Sequence, residues 1–190
     1  SDHIREELLT LSRFIPVVYV GDWQRRHALP SVGVDTCKAF HSVMAHLLEL
    51  GHRRIAFAMH NYECRLEKDG RARAWRESMA QSGLPERPGY FFRTDDTFNG
   101  GLAAAEHFLS LEERPTAIAC HCDIIAAGVL KGFLERGVKV PDEISVTGFD
   151  DIPLAAQMHP GLTSVRIPKR ELGEKATGLL LSLIESGPEG

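Results

Sequence analysis

The residues best placed for chemistry lie at the end of one short strand. From Gly137 onward the sequence predicts a helix stop, a proline-bounded turn, a buried strand over residues 144–147 and then two adjacent carboxylates, Asp150 and Asp151. Open parallel sheets bind ligands outside the carboxyl ends of their strands. The position therefore predicts that Asp150, more than Asp151, accepts hydrogen bonds from a ligand. A turn residue that bonds its own backbone is the alternative role for Asp150.

Strands and helices alternate along the chain, which is the pattern of an α/β fold. We predict helices at 4–14, between Thr36 and Gly51, at 71–81, 99–109, 124–136 and from Pro168, and strands at 17–20, 31–35, 55–59, 90–93, 116–120 and 144–147. Helices of this length between strands require right-handed crossovers, so the sequence predicts a parallel, doubly wound sheet.

Length and charge limit the classes of function. With 190 residues, 43% hydrophobic and 25% charged, the chain has room for one domain or two small lobes. No apolar run reaches the ~18 residues needed to cross a bilayer, and the N-terminus lacks the pattern of a secretory signal. We therefore expect a cytoplasmic protein without a membrane partner. A net charge of -4 predicts that this segment does not grip nucleic acid itself.

The four cysteines predict neither a disulfide framework nor a metal centre. A chain of this size without an export signal is expected to keep them reduced. The triplet Cys120-His121-Cys122 invites a metal interpretation, but neighbours in a strand point to opposite faces, and no second ligand pair follows at the spacing of a zinc site. We expect no metal and no cofactor.

A resemblance to a known family extends over nearly the whole chain. Its runs are Ile15-Pro-Val-Val18, Val32-Gly-Val-Asp35, Leu47-Leu-Glu-Leu-Gly-His-Arg-Arg-Ile-Ala56, Arg71-Ala-Arg-Ala-Trp75, Pro115-Thr-Ala-Ile118, Asp123-Ile-Ile-Ala-Ala-Gly128, the stretch Gly137 to Asp151 and Leu172-Gly-Glu-Lys-Ala176. In this order they resemble the effector-binding core of the lac-repressor/galactose-repressor (LacI/GalR) family of bacterial transcription regulators. The resemblance implies a periplasmic-binding-protein-like type I fold with two doubly wound parallel-sheet lobes.

The resemblance also implies missing parts. Family members begin with a helix-turn-helix DNA-binding domain and a first pair of strand-helix units before the equivalent of Ser1, so we expect a truncated chain. Residues 1–51 plus 166–190 would form an incomplete N-terminal lobe, and residues 52–165 the C-terminal lobe. The incomplete first lobe would expose an unpaired strand edge. Because pairing with a second copy of the chain would cover that edge, we expect a homodimer. DNA would be contacted only through the missing domain.

Three further charged residues are candidate ligand contacts, and two of them, Arg71 and Asp35, match positions that the family uses for its effector or its cleft. Arg71 matches the effector-binding arginine, whose planar fork holds two ligand oxygens; a solvated helix charge is its alternative role. Asp123 stands where a helix N-cap belongs, so its carboxylate is expected to bond backbone N–H groups, and contact with the ligand is its second expected role. Asp35 closes a strand in the first lobe and matches a cleft-facing acid, with a cap or turn role as its alternative.

Two further positions complete the candidate site. Cys122 stands where the family usually has Asn, whose amide both donates and accepts, so the resemblance implies an altered effector specificity. Phe98 lies in a loop where family members place an aromatic residue, and it is a candidate stacking face for a sugar ring. An exposed surface residue without ligand contact, or a buried core residue, is the alternative role for Phe98.

The function implied is that of an effector-sensing domain, in which a small sugar-like ligand between the lobes modulates DNA binding. A solute-binding protein for sugar uptake is the alternative. An enzyme that uses His121 or a cysteine with Asp123 is a third hypothesis. The sequence contains no nucleophile elbow and no glycine-rich phosphate loop, so we predict a protein without catalytic activity.

Overall fold

The computed structural model describes residues 2–22, 28–61 and 69–186; Cys64 lies outside these ranges. The chain divides into two compact units, one of residues 1–36 with 168–190 and one of residues 37–167. The lobe boundaries expected from the sequence remain a prediction. None of the helices in the described ranges combines the length and the apolar character that a bilayer crossing demands.

The first unit is built on two parallel strands. It contains α1 (Asp2–Leu11), β1 (Tyr19–Asp22), β2 (Ser31–Val34) and, from the end of the chain, α7 (Lys169–Ser186). The strands pair in parallel with Val20 opposite Val32, and α7 contacts both of them. In α7 no described residue is buried, and Leu181 and Ile184 are more than half exposed.

The second unit contains a five-stranded sheet flanked by helices. Its elements are α2 (Thr36–Glu49), β3 (Ile55–His60), α3 (Gly70–Gln81), β4 (Phe91–Thr94), α4 (Phe98–Ser110), β5 (Ala117–Cys120), α5 (Asp123–Glu135), β6 (Ser145–Asp150), α6 (Pro153–Gln157) and β7 (Thr163–Arg166). All neighbouring strands pair in parallel, in the order β4-β3-β5-β6-β7. The predicted parallel α/β fold is confirmed.

Apolar side chains explain why these elements pack together. The central strand β3 is buried at every position, as expected for a strand covered on both faces. Phe57 of β3 stacks with Trp75 of α3 and meets Phe40 of α2 edge to face, at ring-centroid distances of 6.2 and 5.1 Å. The buried Trp75 indole N–H donates to the Ile55 carbonyl at 3.2 Å, so its polar atom has a partner inside the core.

Two glycines allow helices α4 and α5 to pack closely. A Cβ on Gly128 would lie 2.1 Å from the Phe98 carbonyl oxygen, and one on Gly101 would lie 2.2 Å from that of Ile125. The Cα of Gly128 also stands 2.7 Å from the Cβ position of Gly101. The backbones of α4 and α5 are therefore in direct contact where the helices cross, and an added side chain could not be accommodated by moving a flexible neighbour.

The structure adds two elements that the sequence did not predict. Helix α6 has only five residues, and β7 is a four-residue strand of half-buried and exposed positions, so neither shows a strong hydrophobic period. The predicted strand at 144–147 is shifted and longer, and β6 runs through Asp150.

We predict that Gly128→Ala destabilises the chain by about 2 kcal/mol, because the added methyl group has no room against the Phe98 carbonyl. Gly178→Ala is the matched control, since a Cβ there meets nothing within 4 Å and alanine favours the exposed helix α7 by up to ~1 kcal/mol. Urea unfolding of the three proteins measures both changes. Equal stabilities for the two variants would contradict the tight crossing.

Candidate functional site

Polar side chains collect along the carboxyl edge of the five-stranded sheet. His60 ends β3, Asp150 ends β6, and His121 follows β5 by one residue. The strands β3 and β5 are neighbours although β4 separates them in sequence, so the direction of winding reverses between them. Open α/β sheets bind ligands in the crevice at such a switch point. The candidate site therefore lies at this edge.

Arg71 lies at this edge, in the first turn of α3. Its Nη1 donates to the backbone oxygen of His121 at 2.6 Å, and its guanidinium carbon lies 4.6 Å from the centroid of the Phe149 ring. These contacts hold the planar fork against the ends of β5 and β6. A guanidinium has five N–H donors, so one bond to His121 leaves donors for ligand oxygens.

Asp123 is only 1% exposed, and both of its carboxylate oxygens are bonded within the protein. Oδ1 accepts from the Ser164 hydroxyl at 2.6 Å, and Oδ2 accepts from the backbone N–H of Ile152 at 2.8 Å. The N-cap of α5 is Cys122, so the Asp123 carboxylate does not cap its own helix. It instead holds the turn after β6 against β7, and ligand contact by Asp123 stays a prediction.

Asp150 and Asp151 form a sharp turn at the end of β6. Their φ angles are 107° and 46°, values that are uncommon for residues other than glycine. Asp151 is engaged with β7, because its backbone N–H donates to Ser164 Oγ at 3.1 Å and its carboxylate accepts from Arg166 Nε at 2.6 Å. Asp150 is half-buried at the strand end itself.

Cys122 contacts the segment that leads into α4, and Phe98 is the first residue of that helix. The Cys122 thiol donates to Asp96 Oδ1 at 2.8 Å, and burial together with this hydrogen bond raises the pKa of the thiol to about 12. The thiol is therefore protonated at neutral pH and is a poor nucleophile. Phe98 begins α4 and is 41% exposed, as a stacking face requires.

Asp35 belongs to the first unit, where it follows the carboxyl end of β2. The next residue, Thr36, is buried, and its hydroxyl donates to the carboxylate of Asp22 at 2.5 Å. This hydrogen bond lies within the first unit, whose first segment ends at Thr36. The role of Asp35 in ligand binding stays a prediction.

A buried cluster at the switch point was missed by the sequence analysis. His60, Asp69 and His121 are 6%, 8% and 5% exposed. The Nε2 atoms of His121 and His60 lie 3.3 and 3.7 Å from the same carboxylate oxygen, Asp69 Oδ2, and the two rings meet edge to face with centroids 4.0 Å apart. The three residues come from segments that are distant in sequence. The only sign of the cluster in the sequence was a histidine directly after each of two apolar runs, at His60 and His121.

The electrostatics of this cluster favour a charged carboxylate beside a neutral imidazole. Burial alone would raise the pKa of Asp69, but hydrogen bonds with His121 and His60 hold that pKa well below its usual range. Burial lowers the pKa of His121 to about 4 and outweighs the opposite effect of the Asp69 hydrogen bond. At neutral pH, Asp69 is ionised and His121 is uncharged. The carboxylate partner of His121 is thus Asp69, whereas one form of the enzyme hypothesis paired His121 with Asp123.

The side chains at the carboxyl edge of the sheet are of the types that bind a polar ligand. The edge offers a guanidinium fork at Arg71, a carboxylate at Asp150 and an exposed aromatic face at Phe98. The donor and the acceptor can bind the hydroxyl groups of a sugar, and the aromatic face can stack on its ring.

Residues 44–190 match the sequence profile of the periplasmic binding protein-like domain (Peripla_BP_3). Catabolite control protein A of Priestia megaterium is 33% identical over 166 residues, which are 87% of this chain and 50% of that protein. The HTH-type transcriptional repressor CytR of Escherichia coli K12 is 33% identical over 170 residues, which are 90% of this chain and 50% of CytR. The chain thus spans about half the length of these relatives.

Solved structures show the same likeness. A LacI family transcriptional regulator from Lactobacillus casei, crystallised with bound glucose, superposes with a TM-score of 0.85 at 27% identity and covers 94% of this chain and 68% of its own. The sequence profile spans more than half of the chain, and the fold agrees with it. The chain therefore belongs to the periplasmic binding protein-like domain family, in the form found in LacI-family transcriptional regulators.

Proposed function

We propose that this chain is the effector-sensing core of a LacI-type bacterial transcriptional regulator and that it binds a small sugar-like molecule. The observation that carries the proposal is the position of Arg71. Its guanidinium lies over Phe149 and bonds the backbone after β5, so a bidentate donor stands at the switch point of the sheet. Asp150 at the end of β6 would accept hydrogen bonds from the same ligand.

A sugar-like effector is supported by the side chains of the edge and by the relatives. The Lactobacillus casei regulator was solved with glucose, and it shares the fold of this chain. Here Phe98 would stack on the sugar ring, and Arg71 and Asp150 would bind its hydroxyl groups. Asp123 would act mainly through the turn that it holds, since its carboxylate is already bonded to Ile152 and Ser164.

The regulatory output would come from parts of the protein outside this chain. Effector binding would favour one arrangement of the regulator by its differential affinity, and in a cytoplasmic homodimer this would change the DNA affinity of a helix-turn-helix domain. The chain itself would bind the effector without converting it.

The coding sequence upstream of Ser1 tests this assignment. We expect it to encode a helix-turn-helix domain in the same reading frame, because the relatives that match include HTH-type repressors. An export signal in that place would instead support a solute-binding protein for sugar uptake and would overturn the regulator proposal.

We predict that Asp150→Asn weakens sugar binding by about 10- to 100-fold, because a charged acceptor contributes about 1.5–3 kcal/mol to a hydrogen bond with a hydroxyl group. Asparagine also tolerates the positive φ of this position, so the turn is expected to persist. Calorimetry of the complete protein with mono- and disaccharides, glucose and sucrose among them, measures the change. Asp151→Asn is the control and should retain affinity within a few-fold, since Asp151 is engaged with Arg166 and Ser164.

Arg71→Lys should lower sugar affinity by about tenfold or more, because a lysine keeps the charge but loses the planar fork. Arg76→Lys is a closely matched control: Arg76 lies on the same helix and also stacks on an aromatic ring, with its guanidinium carbon 4.9 Å from the centroid of Phe91. The same calorimetric series compares both variants with the unmodified protein. Equal losses for the two lysine variants would remove Arg71 from the site.

A further inference from the structure

We propose that His60, Asp69 and His121 form a binding site for one zinc ion at the switch point between β3 and β5. The proposal concerns a metal and holds for any effector of the protein, so it does not depend on the sugar assignment. It also departs from the sequence expectation of no metal. That expectation rested on the Cys120-His121-Cys122 triplet, and only His121 of the triplet belongs to the cluster.

Distances between the donor atoms carry the inference. The Nε2 atoms of His121 and His60 lie 3.3 and 3.7 Å from Asp69 Oδ2, and the three ligand atoms all lie within 4.8 Å of one another. Charge-assisted N–H···O bonds are shorter, at about 2.7–2.9 Å. Zinc bonds of about 2.0–2.1 Å in a tetrahedron place neighbouring ligand atoms ~3.3 Å apart. At 3.3 Å the His121 contact is a long hydrogen bond, at 3.7 Å the His60 separation is longer still, and both lie close to the edge length of a zinc tetrahedron.

The cluster is also held in place by contacts that do not use the ligand atoms. Asp69 Oδ1 accepts from the backbone N–H groups of Arg71 and Ala72 at 2.9 and 3.0 Å, and thereby caps α3. This leaves Oδ2 directed at both imidazoles. A carboxylate fixed by hydrogen bonds to its other oxygen is the usual support of a metal ligand.

The types of the ligands select the metal. Two imidazoles and one carboxylate suit zinc, whereas magnesium and calcium prefer an all-oxygen shell. Ferrous iron also binds two histidines and a carboxylate, but its octahedral geometry brings neighbouring ligands closer than a tetrahedron does. Three protein ligands leave a fourth tetrahedral position open for water or another donor.

Metal binding at this place would connect three segments that meet beside Arg71. The ion would join the end of β3, the start of α3 and the turn after β5. Arg71 is bonded to two of the three ligand residues, through its backbone N–H to Asp69 and through Nη1 to the oxygen of His121. A bound zinc ion would therefore stabilise the second unit and fix the position of the Arg71 fork.

A second group of donors provides the matched control. Cys37, His41 and Glu77 also bring their ligand atoms within 4.8 Å of one another. Both nitrogens of His41, however, lie at ordinary hydrogen-bond distances of 3.0 Å from Ser78 Oγ and Glu77 Oε2, and Glu77 is exposed. Ordinary hydrogen bonds account for this group, so His41→Gln should leave zinc binding unchanged.

Zinc titration of the complete chain, after removal of metals with a chelator, tests the proposal. We expect one equivalent to bind in competition with a chromogenic chelator and to raise Tm by about 5 °C or more at a hundredfold excess over Kd. Asp69→Asn keeps the helix cap but loses the charged ligand, and His121→Gln loses an imidazole. Each should weaken zinc binding by on the order of 100-fold or more.

Three results would overturn the site: no stoichiometric zinc binding, wild-type affinity in Asp69→Asn and His121→Gln, or a loss of binding in His41→Gln alone. X-ray absorption of the zinc-loaded, unmodified chain decides the question even where a variant fails to fold. Two imidazole nitrogens with oxygen ligands and no sulfur support the site. A spectrum with sulfur or with a single imidazole rejects it.

Discussion

The buried carboxylate of Asp123 is the interaction on which the carboxyl edge of the sheet depends. A carboxyl group that is 1% exposed is tolerated only when hydrogen bonds compensate for its burial, and here the Ile152 N–H and the Ser164 hydroxyl each donate to one of its oxygens. The same bonds connect α5 to the turn after β6 and to β7. A Cβ on Gly148 would lie 2.2 Å from Asp123 Oδ1, so the carboxylate has room only because β6 carries glycine there.

This constraint explains why Asp123, Asp150 and Asp151 have different roles. Asp123 and Asp151 stabilise the turn by binding Ser164 from two sides, one through its carboxylate and the other through its backbone N–H. Their bonds fix the turn in which Asp150 adopts a φ of 107°. A backbone angle of this kind persists where surrounding contacts determine it, and such residues cluster at ligand sites. The proposed role of Asp150 thus rests on a turn that its neighbours hold.

Most regular elements could be predicted from the sequence, because β3, β5 and the longer helices carry strong apolar periods between clear stops. Helix α6 and β7 could not, since both are too short for a period, and β7 gains its place by pairing with β6. Among the site residues, position after a strand was enough to propose Asp150. It was not enough to reveal that Asp123 is fully bonded or that His60 and Asp69 meet His121, because those facts depend on which strands are neighbours.

Cys122 shows how one side chain at this edge changes what its neighbours can do. The family resemblance implies an amide at this position, which would both donate to a ligand and accept from it. The thiol here is protonated, with a pKa raised to about 12, and it directs its weak donor to Asp96 at the start of the segment leading into Phe98. An uncharged thiol bonded to protein offers a ligand little specific recognition. In the proposed function, discrimination between effectors would therefore rest on the other candidate groups, above all the Arg71 fork and the Phe98 ring.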